Sequence, residues 1–435
     1  MSDNLQHQQI EDIDDAEYIN LAEVDEEIQV SDDLPVPNES EFQEDKPEEQ
    51  QPLEIAPADE QPDIEIDMSN NSIAYFDKHS DSIFCVSHHP KLPLVCSGGA
   101  DNVAYLWTSH SVPPKFAQSI EHSESVIACA FTSQQGKYLI TCDMNGICKV
   151  SKSSKDGSRW KNIGELQQCD EIVWMKTHPT IESIFAFGGI DGSVWCYSIE
   201  ESTDELVLLM SGFAHQQDCS MGDFLPSIQN DTNNPSPVQL VTCSIDGTIV
   251  VWNCYTGDII HKWTSSDFKG LECPWISLSC FTKNIACVGS NNGCLTVINC
   301  TSGHVLHLNP CVITLKPEEE ESNASIESIA WCTSGGMPLL CVGLVRGDVL
   351  LYETTSMRLR SSVTLPDSAT KILFRDLDIF ISCINGNVYK YDARKFHEPT
   401  FTCVGHNTGV LDFCFAGKDK IVTAGDEGVS LIFKC

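Results

Sequence analysis

Basic side chains are scarce in this sequence: 26 Lys and Arg face 63 Asp and Glu over 435 residues, for a formal net charge of −37. A surface of that sign repels phosphate backbones and anionic membrane faces, so it argues against direct nucleic-acid or lipid binding and for a basic partner. Long apolar runs are missing too. No uninterrupted stretch approaches the roughly 18 residues of a membrane span, and the opening MSDNLQHQQIED has neither the basic start nor the apolar run of a signal peptide. The expected compartment is therefore intracellular. Cysteine is plentiful, at 22, but no two cysteines stand at C-x2-C spacing, which excludes the common zinc ribbons and fingers. Without a secretory route a disulfide framework is not expected either. Most cysteines take the place of a small apolar strand residue, as Cys96 does in LVCSGG and Cys383 in FISCING, and are expected to be reduced core thiols. There is no G-x-S-x-G elbow, no phosphate loop ending in GKS or GKT and no H-E-x-x-H. Neither an enzyme nor a cofactor or metal site is expected.

Charge is unevenly placed. Residues 1–68 hold 24 Asp or Glu against Lys46 alone, a net of −23, and the remaining chain holds 39 acids against 25 bases, a net of −14. The first segment has six prolines and only two aromatics, Tyr18 and Phe42. It cannot bury enough apolar surface to offset chain entropy, so a disordered acidic tail is expected over 1–68. From residue 69 to 435 the texture changes to short apolar runs broken by Gly, Asn and Asp. A unit of small residues, a turn ending in Gly or Asn and an alternating strand recurs eight times: SGGADNVAYLW, TCDMNGICKV, FGGIDGSVWCY, CSIDGTIVVW, VGSNNGCLTVI, VGLVRGDVLLY, SCINGNVYKY and TAGDEGVSLIF. The aligned turn residues are Asp101, Asn145, Asp191, Asp246, Asn292, Arg346, Asn385 and Glu427. Their spacing averages close to the roughly 40–45 residues of a four-stranded propeller blade. Two intervals are lengthened by polar insertions, at 226–237 and 317–323. The period-two strands after each turn predict an all-β, eight-bladed propeller over 69–435.

His79, Ser97, Asp101 and Trp107 stand in the order and spacing of the hydrogen-bonded set that braces the turn in WD-repeat proteins, which this chain resembles. His215, Thr242, Asp246 and Trp252 fit closely, and His406, Thr423 and Glu427 less well. These histidines are therefore read as structural, and the turn carboxylates as turn formers, not as general acids. The eighth unit stops after its third strand, whereas SIAYF at 72–76 has strand composition and no blade of its own. It is expected to close the ring as the missing outer strand.

In this fold the loops leading into the inner strands share a face with the turns. Aligning the sequence at these lead-ins gives Asp81, Glu124, Glu171, Asp218, Glu272, Glu327, Thr370 and Gly409, so six of eight blades present an acid, and Asp170 and Asp426 add to the ring. Exposed ion pairs contribute only about 0.2–1 kcal/mol each. Six supply roughly 1–6 kcal/mol, millimolar binding at best, so tight binding needs apolar anchors as well. Trp174, Trp275 and Trp331 follow the acidic lead-ins closely. Core placement is the expectation for them, and anchoring follows only if they reach the surface.

FDKHSDSIF, LPLVCSGGADN, LWTSHSVPPKFA, SGFAHQQDCSMG, PWISLS, ASIESIAW and GHNTGVLDF together resemble the family of WD-repeat ribosome-assembly chaperones dedicated to large-subunit ribosomal protein ten, to which the animal angio-associated migratory cell protein is related. The likeness runs over the whole propeller. It implies a non-enzymatic holdase that captures the basic N-terminal segment of its newly made client in the cytoplasm and delivers it to the pre-60S particle. Carried over by position, Glu327, Asp426 and Glu124 are the foremost residues for client contact, followed by Asp81, Glu171, Asp218 and Glu272. On the residues alone two other readings stay open: a general WD-repeat scaffold in signalling or migration, and a histone chaperone.

Overall fold

The computed structural model describes residues 69–226, 237–311, 321–332, 334 and 338–435. The acidic segment 1–68 and most of the two polar insertions lie outside the described residues, and with them the expectation of a disordered tail.

The strands form eight four-stranded sheets whose hydrogen-bonded neighbours are antiparallel. Counted from inner to outer strand, blades 1 to 7 span 83–121, 126–167, 172–212, 221–263, 275–310, 326–364 and 369–403. Blade 8, at 410–434, contributes three strands, and its fourth is Ala74–Phe76. That short strand pairs antiparallel with Ser430–Lys434, with Ala74 opposite Ile432 and Phe76 opposite Ser430. The inner strand of blade 1 packs against those of blades 2 and 8. The sheets thus close into an eight-bladed β-propeller.

The sequence accounts for this architecture blade by blade. Every residue of the second strands Leu94–Gly99, Tyr138–Asp143, Ile184–Gly189 and Leu339–Leu344 is buried, because each sheet is covered on both faces by its neighbours. All 22 cysteines are free thiols and 17 are buried. Burial drives most of their pKa values upward, as at Cys341 and Cys414, which keeps them protonated and inert. Close approach between blades explains Gly222: a Cβ there would lie 2.2 Å from the Trp174 ring.

Each turn between second and third strands ends in a left-handed residue. It is Asn102 in blade 1, with φ 63°, and Gly146, Gly192, Gly247, Gly293, Gly347, Gly386 and Gly428 in the others, with φ between 76° and 89°. Gly and Asn reach that region at little steric cost, so this requirement is what the repeat displays in the sequence.

The turn of blade 1 is braced by a chain of side chains. His79 Nδ1 lies 3.0 Å from Asp101 Oδ1, its Nε2 lies 2.9 Å from Ser97 Oγ, and Trp107 Nε1 donates to the same hydroxyl at 3.0 Å. A carboxylate only accepts, so the imidazole proton is on Nδ1 and Nε2 accepts from Ser97. Burial lowers the His79 pKa despite Asp101, which keeps the ring neutral. Blade 8 repeats the chain with His406, Glu427 at 2.6 Å and Thr423 at 2.6 Å. Blade 4 differs from expectation. His215 Nδ1 meets Thr248 Oγ1 at 2.7 Å and not Asp246, whose carboxylate instead accepts from Thr248 and from the Gln216 N–H. The threonine hydroxyl is interposed between ring and acid. Thr242 bridges His215 and Trp252 as expected, at 2.8 Å to each. A further set, unread in the sequence, occurs in blade 2: His122 contacts Asp143 at 3.2 Å and Thr141 at 2.8 Å. Its carboxylate stands two positions earlier than in blade 1, which hid it from the turn alignment.

Candidate functional site

One backbone hydrogen bond recurs in every blade and sets the register of the face where lead-ins and turns meet. The residue before each aligned turn residue, here termed the shoulder, donates its N–H to a lead-in carbonyl. The pairs are Ala100 to Ser82, Met144 to Ser125, Ile190 to Glu171, Ile245 to Asp218, Asn291 to Pro274, Val345 to Ser325, Ile384 to Ser368 and Asp426 to Gly409, at 2.8–3.3 Å. In every blade but the fourth, the inner strand carries an extra residue two positions beyond this carbonyl. In seven blades it is skipped by the ladder: Phe84, Ile127, Val173, Ile276, Glu327, Thr370 and Leu411. Such a bulge turns one side chain out of the sheet. The residues flanking each of these seven are buried on at least one side, and the bulged side chain stays at least partly exposed at the rim.

This register corrects the acidic ring. The six acids are not at equivalent positions. Glu171 and Asp218 occupy the lead-in position proper, Asp81 and Glu124 stand one residue earlier, Glu272 two earlier, and Glu327 is a bulge residue. The physical reason is that loops of different lengths reach the same hydrogen bond, so sequence alignment slid by one or two residues in either direction. At the position shared by Asp81 and Glu124, blades 3 and 7 also carry acids, Asp170 and Asp367. Asp367 was missed because Thr370, three residues on, was aligned in its place. Its signature is local: the carboxylates of Asp81, Glu124 and Asp367 each cap the N–H of the following serine, at 2.8, 3.1 and 2.7 Å.

The structure nevertheless places all seven nominated acids on this one face. Asp81, Glu124, Glu272, Glu327 and Asp426 are exposed, and Glu171 and Asp218 are half-buried. Asp426 is the shoulder of blade 8, and the Ser82 hydroxyl of blade 1 donates to its carboxylate at 2.7 Å. Glu327 projects from its bulge with Ser325 Oγ donating to it at 2.7 Å. Each turn leans on the next blade's lead-in: a Cβ on Gly428 would meet the Asp81 carbonyl, one on Gly347 the Asp367 carbonyl, and one on Gly146 the chain at Cys169–Asp170. The basic turn residue Arg346 is ion-paired with Asp348, so it does little to offset the acids around it. The field over this rim is negative, and it suits a cation-rich ligand.

Two of the three tryptophans are withheld from the surface, and Trp331 is half-buried. Trp275 is fully buried with Nε1 donating to the Gly247 carbonyl at 3.1 Å, and Trp174 is buried with Nε1 3.4 Å from Cys219 Sγ. Trp331 stacks on Phe281 at 4.6 Å, four residues down the inner strand from Glu327. Among the described residues no cluster of three or more His, Cys, Asp or Glu could hold a metal ion. No described helix is long and apolar enough to cross a membrane.

Comparison with known proteins agrees with this geometry. The WD domain, G-beta repeat family matches residues 70–108 and 227–253. Ribosome assembly protein SQT1 of Saccharomyces cerevisiae is 53% identical over 395 residues, covering 86% of this chain and 89% of that protein. The human angio-associated migratory cell protein is 27% identical over 376 residues, covering 82% and 79%. The crystal structure of Saccharomyces cerevisiae Sqt1 superposes with a TM-score of 0.79 at 52% identity, covering 84% of this chain and 99% of that one. The same fold is seen in Chaetomium thermophilum Sqt1 bound to the N-terminus of the ribosomal protein L10, with a TM-score of 0.72 at 24% identity, covering 84% and 100%. With its eight blades, its acidic rim and this extent of identity, the chain belongs to the Sqt1 family of WD-repeat ribosome assembly proteins.

Proposed function

We propose that this protein is a non-catalytic, cytoplasmic chaperone that holds the basic N-terminal segment of newly made ribosomal protein L10 on its acidic face and releases it to the assembling large subunit. The observation that carries the reading is the concentration of carboxylates on the lead-in face, the exposed Glu327 and Asp426 among them. Each accepts a single serine hydroxyl in the structure, which leaves acceptor capacity for a Lys or Arg. Family membership and the L10-bound relative support the identity of the client.

The test is a Glu327→Lys/Asp426→Lys double variant titrated with an N-terminal L10 peptide at about 0.15 M salt, where charges beyond roughly 8 Å are screened. Binding should weaken by about tenfold or more, since two favourable contacts become repulsive, with the melting temperature unchanged. Normal binding by a folded double variant would sink the reading. A pull-down from translating cells tests the scaffold reading in parallel, because one dominant nascent protein marks a dedicated chaperone and many unrelated partners mark a scaffold.

A further inference from the structure

The shoulder position asks only for a backbone N–H, and Asn291 and Asp426 fill it as well as any apolar residue. Nothing in the fold therefore requires the large apolar side chains found there in blades 2 and 3. Met144 is 39% exposed and Ile190 40% exposed, whereas the other apolar shoulders, Ile245, Val345 and Ile384, are half-buried. Carboxylates flank both. The Met144 N–H bonds the Ser125 carbonyl beside Glu124, and its turn leans on the chain at Asp170. The Ile190 N–H bonds the Glu171 carbonyl, and its turn leans on Gln217, beside Asp218. Across blades 2 to 4 the rim thus reads acid, apolar, acid, apolar, acid.

We propose that Met144 and Ile190 form an apolar subsite of the acidic face, which selects, among basic peptides, those carrying apolar side chains between their Lys and Arg residues. This rests on the client-binding reading of that face and adds its specificity. The physical division is direct. Exposed charge pairs give sign selectivity and a fast encounter but little residence, and apolar area removed from water supplies the residence. With Trp174 and Trp275 enclosed in the core, these two side chains, each standing between carboxylates of adjacent lead-ins, are placed to supply it.

Two synthetic peptides of equal length and charge, one alternating Arg and Leu and the other Arg and Ser, test the proposal by titration calorimetry at about 0.15 M salt. The wild-type protein should bind the Arg–Leu peptide about tenfold tighter, as expected for two partly covered side chains. A Met144→Ser/Ile190→Ser variant should bind both peptides alike, at the level of the Arg–Ser peptide and with unchanged melting. Equal binding of the two peptides by the wild type, or a preference that survives the double substitution, overturns the subsite while leaving the acidic face standing. Failure of the wild type to bind either peptide overturns both. If the Arg–Leu preference holds but an L10 peptide is not bound, the client assignment falls and the subsite stands.

Discussion

The Ser97 hydroxyl accepts from Trp107 and donates to His79, whose other nitrogen donates to Asp101. One buried atom therefore joins the outer half of blade 1 to its turn. Removing it by Ser97→Ala leaves an indole N–H and an imidazole nitrogen without partners in the interior, at about 1–3 kcal/mol for each. A loss of about 2–4 kcal/mol is expected from urea unfolding. Ser97→Thr should lose far less, because Thr242 performs the same bridging in blade 4, between His215 and Trp252. Equal losses for the two substitutions would show that shape, not the hydroxyl, carries the effect. The sequence displayed this chain wherever the residues kept their spacing. It misled at His215, where Thr248 stands between ring and carboxylate, since a residue that can accept and donate inserts into such a chain without altering its ends.

The closing strand Ala74–Phe76 does two jobs with three residues. It caps the edge of Ser430–Lys434, and Phe76 stacks on Trp107 of blade 1 at 4.7 Å with an interplanar angle of 8°. The two chain ends of the propeller are thus tied both to each other and to the next blade. Phe76→Ala should cost about 3–5 kcal/mol, the usual range for a buried aromatic deleted from a core. Deleting 72–76 should lower the melting temperature of the whole ring, because blade 8 then exposes an unpaired edge. Melting like the wild type would show that three strands suffice there. At this scale the turns were legible and the lead-ins were not. A turn must end in a left-handed residue, so Gly or Asn marks it in every blade. A lead-in is held by one carbonyl that any residue can offer, and the bulge behind it accepts Phe84, Glu327 or Thr370 alike. That tolerance is why the acids share a face but do not fall at equivalent positions.

Over the whole molecule, the opposite signs of two titrations decide how the protein responds to acid. A formal charge of −37 means that protonating carboxylates relieves self-repulsion, but ordinary carboxyl groups take up protons near pH 4. The histidines act earlier. Burial lowers the pKa of His79, His89 and His122, and brings His88, His178 and His215 down to about 4. In the unfolded chain each returns to about 6.5. Between those values the unfolded state binds more protons than the folded one, so the stabilisation is complete above about pH 6.5 and is lost as pH falls toward the folded values. Each histidine contributes a slope of about 1.4 kcal/mol per pH unit while it is neutral in the fold and charged in the unfolded chain. The raised pKa of buried Asp223 works the other way, taking up a proton in the fold, but only as its own titration begins. The lowered carboxyls of Asp246 and Glu427, held by hydrogen bonds that overcome their burial, add to the acid sensitivity only near and below the carboxylate range. Across the window from pH 6.5 to 5 the six histidines outweigh the single proton that Asp223 can take up. Urea unfolding across it should show stability falling by the worth of one to three protons per pH unit, with the blades unfolding together. A flat profile would mean that these rings stay hydrated in the fold, contrary to the enclosure that the propeller gives them.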